Sequence, residues 1–209
     1  MEICLKRLST SGSGNVVRLD FEISDGTHLQ RDSFDILSEQ YIELRPEKGI
    51  IDRSTYDSLL EASQVCQCYL KALNILSFGD NNMFALKVKL MRRGFSSDTA
   101  EKTVAMVTEK GYVREENVAA AEVKKCISKL WGRTRILAQL RAKGFDSDSI
   151  DRAMLLVENT DFAENCYLLA DKKFGCLPDE PNERKKMAAS LARYGYGPDE
   201  IKFAFKKMS

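Results

Sequence analysis

The sequence predicts a mainly α-helical chain: three tandem three-helix repeats preceded by a small antiparallel β-meander. Three observations predict it. A glycine-centred stretch occurs three times, as Leu90-Met-Arg-Arg-Gly94-Phe95-Ser-Ser-Asp98, Leu140-Arg-Ala-Lys-Gly144-Phe145-Asp-Ser-Asp148 and Leu191-Ala-Arg-Tyr-Gly195-Tyr196-Gly-Pro-Asp199. The three glycines lie 50 and 51 residues apart, and a fixed period of this size marks a repeat array. The apolar residues also change period along the chain, alternating near the start and recurring every three or four residues beyond about residue 64.

Residues 1–63 form the leading segment. Glu2–Ser9 and Asn15–Ser24 alternate apolar and polar positions (Ile3, Leu5; then Val17, Leu19, Phe21, Ile23) and are joined by Thr-Ser-Gly-Ser-Gly. Alternation places one set of side chains on one face of a strand. Asp25-Gly26 marks a tight hairpin into a third strand, Thr27–Arg31. The Ser-Gly-Ser-Gly loop lacks the Lys-Ser/Thr ending and the following helix of a phosphate-binding P-loop, so it reads as a hairpin connection. Asp32 or Ser33 then caps a short helix through Tyr41, with Phe34, Leu37 and Tyr41 inward. Gly49-Ile-Ile-Asp52 leads into another, capped by Asp52 or Ser54, with Tyr56, Leu59 and Leu60 inward. That helix is able to run on into the first repeat.

The repeats occupy residues 64–113, 114–160 and 161–209. Each opens with an amphipathic helix, carried by Val65, Tyr69, Ala72 and Leu76 in the first, Ala119, Val123, Cys126 and Leu130 in the second, and Phe162, Cys166 and Leu169 in the third. The middle helices show apolar pairs four apart: Leu86/Leu90, Ile136/Leu140 and Met187/Leu191. The glycine then supplies the left-handed conformation that ends a helix, and the aromatic after it (Phe95, Phe145, Tyr196) folds back on the helix just left. Pro198 fits the first position of the third helix, which makes Gly197 its cap and, by register, Ser96 and Asp146 the caps in the other copies. Asp98, Asp148 and Asp199 then fall in the first turn, where each interacts with the helix dipole by about 0.3–1 kcal/mol. A unit of about 50 residues buries little core by itself, so neighbouring units are expected to pack together.

Composition bounds the function. With 209 residues, 44% hydrophobic and 30% charged, the chain is of ordinary globular type. It shows no apolar leader at its N-terminus and no run of about 18 apolar residues, so a cytoplasmic location is expected. Of the six cysteines only Cys66-Gln-Cys68 is a close pair, and the single histidine, His28, is remote from it. Zinc sites need two such pairs, so the cysteines read as small buried hydrophobes. The near-neutral total hides an asymmetry: seven basic against twelve acidic residues up to position 64, then 25 against 19.

No nucleophile–base–orienter set, Walker sequence, zinc-protease motif or dinucleotide fingerprint is present, so neither an enzyme nor a cofactor is expected. What remains is basic residues on the middle helices. Lys89, Arg92 and Arg93 mark the first copy, Arg133, Arg135, Arg141 and Lys143 the second, and Lys185, Lys186 and Arg193 the third, with Lys172, Lys173 and Arg184 nearby. They are either a groove for a phosphate backbone or acidic protein surface, or the solvated outer faces of amphipathic helices. Trp131, beside Gly132, is either a stacking platform or a core residue at a helix junction. Arg133 and Arg135 are two apart and so about 200° apart around a helix: either Arg133 precedes the helix or a partner wraps its end.

The three copies in register, with Lys129-Leu-Trp-Gly132-Arg133-Thr-Arg135-Ile136 running to Gly144-Phe145 and Glu109-Lys-Gly-Tyr112-Val-Arg-Glu115 before it, resemble the RecX regulators of bacterial recombination. The resemblance covers roughly residues 65–209, and the meander is similar to the β-hairpin extension of some members. It implies a monomeric protein that binds RecA along the groove of its nucleoprotein filament and restrains ATP hydrolysis and strand exchange, with single- or double-stranded DNA as a further partner and no membrane. One departure lies in Ser77-Phe-Gly-Asp80-Asn-Asn82-Met-Phe-Ala-Leu86, where the family's first copy usually carries arginines; Asn82 still suits a helix cap. From the residues alone, a nucleic-acid-binding protein with helix-turn-helix-like units and a helical protein-binding scaffold are the competing readings.

Overall fold

The computed structural model describes residues 2–11 and 14–209. Gly12 and Ser13 of the hairpin connection lie outside the described residues. The chain divides into two compact units, one of residues up to Gly79 together with Leu86–Tyr112, the other of Asp80–Ala85 with Val113–Ser209.

The first unit opens with a four-stranded antiparallel sheet in the order β3-β2-β1-β4, where β1 is Glu2–Thr10, β2 Val16–Ser24, β3 Leu29–Leu37 and β4 Gly49–Ile51. Ile3, Leu5, Val17, Leu19 and Phe21 are buried, as alternation requires. Two expectations are corrected. The third strand runs to Leu37, so Asp32 and Ser33 cap nothing, and the short helix α1 begins at Ser38 and ends at Leu44. The residues Phe34, Leu37 and Tyr41 fit a helical stripe, but Phe34 and Ile36 are the buried pair that pairs with Leu19 and Val17 of β2. Asp32 instead accepts a 2.7 Å hydrogen bond from the Tyr56 hydroxyl. Gly49–Ile51 leads into a helix as expected and in addition pairs with β1 at the sheet edge.

Asp52 caps α2 (Arg53–Ser77), its side chain accepting from the Thr55 amide. This helix passes unbroken through position 63. Near its start it buries Tyr56, Leu59 and Ala62 against the sheet, with Phe21, Phe34 and Tyr56 in mutual ring contact. Its later part meets α4 (Ser97–Glu109). Cys66 and Cys68 lie within it, fully buried, and burial pushes the Cys66 thiol up to about 11. A thiol so raised is inert as a nucleophile at neutral pH. Between α2 and α4 comes α3 (Met83–Met91), whose first three residues belong to the second unit.

The second unit holds α5 (Glu115–Ser128), α6 (Arg133–Ala142), α7 (Ser147–Met154, extended by a 3-10 turn to Val157), α8 (Phe162–Phe174), α9 (Pro181–Arg193) and α10 (Pro198–Met208). These are the second and third repeats, and they close around one apolar core that includes Val123, Ile136, Leu140, Val157, Cys166 and Leu191. The stop–start signals form as expected. Gly94, Gly144 and Gly195 have φ of 93°, 75° and 94°, and the Phe145 and Tyr196 amides reach back to the carbonyls of Leu140 and Leu191. Ser96 and Asp146 cap through their side chains, while the Gly197 amide donates to Glu200 at 2.6 Å.

The segment Asp80–Ala85 is held onto the second repeat by three contacts. The Asn82 amide donates to the Lys143 carbonyl at 2.9 Å while its oxygen caps α3 at the Ala85 amide. The Met83 amide donates to Glu115 Oε2 at 2.8 Å. The Phe84 ring covers Gly144, where any Cβ would meet it at 2.5 Å. Glu115 is only 8% exposed, and its Oε1 has no partner among the described residues. Burial raises its carboxyl above the ordinary range despite the Met83 bond. Among the described residues no helix is long and apolar enough to cross a membrane.

Candidate functional site

Where α9 ends, α6 begins, and the two turns interlock through backbone. Leu130 takes a left-handed φ of 55°, which turns the chain into Trp131 and Gly132. The Gly132 amide donates to the Tyr194 carbonyl at 2.8 Å and the Thr134 amide to the Gly195 carbonyl at 3.4 Å. The Tyr196 hydroxyl returns a 2.8 Å bond to the Leu130 carbonyl. A Cβ on Gly132 would lie 2.3 Å from the Gly195 carbonyl carbon, and one on Gly195 would lie 2.5 Å from the Arg135 amide. Only glycines permit this approach. Two of the amides that begin α6 thus bond to carbonyls at the end of α9, which pairs part of each helix end with the other.

The interlock sets up a ladder of cations and rings. The Arg135 guanidinium lies 4.0 Å from the Trp131 ring centre and 4.8 Å from that of Tyr194. Trp131 lies in the turn just before α6 and Arg135 in its first turn, so the extended backbone at Gly132 brings the ring over the guanidinium. Lys129 sits 5.3 Å from Trp131, and Lys173 4.5 Å from Tyr194, so the ladder runs Lys129–Trp131–Arg135–Tyr194–Lys173. Each such contact contributes roughly 0.5–1 kcal/mol when exposed and more when dry. Arg135, Trp131 and Tyr194 are half-buried, Lys129 and Lys173 exposed. Trp131 and Tyr194 also pack on the apolar core. None of these three cations forms an ion pair with a carboxylate of the described residues. Lys173 makes a 3.3 Å bond to the Ser190 hydroxyl.

The other sequence-selected residues are placed differently. Arg133 opens α6 and turns to the Phe162 ring, 5.6 Å away, so it diverges from Arg135 as the 200° rotation requires. Lys143 follows the far end of α6 and pairs with Glu122 at 2.7 Å. Burial would raise the Glu122 carboxyl, but the bonds from Lys143 and Gln139 outweigh it and hold it below the usual range. Arg141, Lys185 and Arg193 are exposed, and Lys186 pairs with Glu183. Lys89, Arg92 and Arg93, all exposed, belong to the first unit, where Arg93 donates to the Lys89 carbonyl. The structure thus gathers Arg135 with Trp131, with Lys173, named above among the basic residues near the third copy's middle helix, and with two residues that sequence reasoning did not select, Lys129 and Tyr194. One signal for Tyr194 was available. The position before the turn glycine is Arg93, then Lys143, then Tyr194, so the third copy replaces a cation with a ring.

Comparison with known proteins places this architecture. A model of the RecX third three-helix domain matches residues 160–205. The regulatory protein RecX of Xanthomonas axonopodis pv. citri (strain 306) is 32% identical over 135 residues, which span 64% of this chain and 83% of that protein. The RecX of Stenotrophomonas maltophilia (strain R551-3) is 32% identical over the same length, covering 82% of its own chain. Among solved structures, a crystal structure of regulatory protein RecX superposes with a TM-score of 0.77 over 98% of this chain and 99% of the other, at 20% identity. RecX from Lactobacillus salivarius gives 0.59 over 70% of this chain and 97% of the other, at 22% identity. The two structures carry the fold and the sequence relatives the family: the chain belongs to the RecX regulatory proteins.

Proposed function

We propose that this RecX-family chain binds the RecA recombinase on its DNA filament and restrains ATP hydrolysis and strand exchange. It acts by binding alone, as a cytoplasmic monomer without catalysis or cofactor, and the repeats 64–113, 114–160 and 161–209 serve as its modules. The observation that carries this reading is the ladder at the junction of the second and third repeats, which presents cations free of acidic partners in a chain of this family. Family membership supports a protein partner, for which we take the recombinase, and the charge supports approach to a filament whose DNA is polyanionic. A helix-turn-helix reading is less well supported, because the first turn of α6 abuts Tyr194 and Gly195, whereas a recognition helix offers its first residues to a groove.

The test is ATP hydrolysis by RecA on single-stranded DNA with the purified chain added at low-micromolar concentration or below. Hydrolysis is expected to fall. Arg135→Ala should raise the concentration needed by several-fold, whereas Lys143→Ala, which removes the partner of Glu122, should leave inhibition nearly unchanged while weakening the fold. Equal inhibition by wild type and Arg135→Ala would remove the ladder from the interface. A rate unaffected by the wild type in any nucleotide state would discard the recombinase as target.

A further inference from the structure

We infer that the Trp131–Arg135–Tyr194 ladder, flanked by Lys129 and Lys173, is a sequence-independent site for the phosphodiester backbone of single-stranded nucleic acid. The inference deepens the reading above and rests on the same site, but its test contains no recombinase. The Arg135 guanidinium lies over both rings, and contact with two rings restricts its freedom before any ligand arrives. A planar fork with no carboxylate to engage matches a phosphate's paired oxygens. Lys129 and Lys173 extend the positive charge to both ends of the ladder.

Two features point to the backbone rather than the bases. Two cations already lie over each ring, Lys129 and Arg135 over Trp131 and Arg135 and Lys173 over Tyr194, so a base would compete with them to stack, whereas a phosphate would engage the same cations. The helix end beneath it contributes little, since carbonyls of Tyr194 and Gly195 already take the amides of Gly132 and Thr134. An acidic protein segment would use the same donors with weaker charge density than a phosphate at every nucleotide.

The experiment uses the full chain and a fluorescein-labelled oligothymidylate, with anisotropy read across a salt titration. Trp131 is the chain's one tryptophan, so its emission reports contact at the ladder directly. Binding is expected to change that emission and to weaken linearly with the logarithm of salt. The double substitution Lys129→Gln with Lys173→Gln, both at exposed positions, should reduce the slope by about 1.4, two contacts at about 0.7 each for a single strand. Tyr194→Leu should weaken binding several-fold at an unchanged slope, because it frees Arg135 without removing charge. An unchanged slope in the double variant, or binding with no response from Trp131, would overturn the inference. So would a polyglutamate peptide that competes as well as the unlabelled oligonucleotide. Absent binding alongside intact inhibition of RecA would remove this phosphate site and leave the functional reading standing.

Discussion

Gly132→Ala is expected to destabilise the second unit by about 2–3 kcal/mol in urea unfolding, near the upper end for overpacking. The backbone is not the reason. Gly132 has φ of −77° and ψ of 165°, which alanine adopts freely. The cost comes from the added methyl, which would sit 2.3 Å from both the carbon and the oxygen of the Gly195 carbonyl and 2.7 Å from the Tyr196 amide. Backbone atoms cannot rotate aside as a side chain does, so α6 and the end of α9 must separate. Gly94→Ala is the control: its φ is 93° but a Cβ there meets nothing within 4 Å, so only conformational strain of about 1–2 kcal/mol remains. Trp131 emission should shift toward the solvent-exposed value in Gly132→Ala and stay fixed in Gly94→Ala. A Gly132→Ala protein within about 0.5 kcal/mol of wild type would show that the two turns do not lock.

Substitutions of Glu115 should separate its hydrogen bond from its charge. Glu115→Ala leaves the Met83 amide without its acceptor and is expected to cost about 1–3 kcal/mol. Glu115→Gln keeps an acceptor and removes the charge, so at pH 7 it should equal or exceed wild type. The pH dependence follows from the direction of the shift. Burial raises the folded carboxyl above its ordinary value of 4.5, so the folded state holds the proton to higher pH than the unfolded chain does. This group's stability contribution is fully present below about 4.5 and is lost as pH rises through the raised folded value. The difference in urea midpoint between Glu115→Gln and wild type should therefore grow with pH from about 4.5 upward. A constant difference across that window would show that Glu115 is not charged at a cost in the folded chain.

The repeats were legible in the sequence because their signals are local. A glycine at positive φ, a capping Ser96 or Asp146 and an acid in the next turn each depend on a few neighbouring residues, and all three copies form as read. The boundary near Ser38 was not legible, since Phe34, Leu37 and Tyr41 satisfy a helical period as well as Phe34 and Ile36 satisfy a strand. Partner strands decided it, and β4 likewise exists because β1 offers Ile3–Leu5 an edge partner. The site divides the same way. Trp131 and Arg135 meet within one stretch of chain, whereas Tyr194 and Lys173 reach them from the third repeat through the Gly132–Gly195 approach. Nor does sequence distinguish Lys143, bound to Glu122, from Arg135, which has rings as partners in place of an acid.

The most direct measurement is co-sedimentation of the purified chain with RecA filaments assembled on single-stranded DNA, with RecA alone and naked DNA as separate arms, each with and without a non-hydrolysable ATP analogue. The chain should pellet with the nucleotide-bound filament more strongly than with either component, and Arg135→Ala should pellet less while keeping its circular dichroism. Recovery with naked DNA equal to that with the filament, or no recovery in any arm, would contradict recognition of the recombinase.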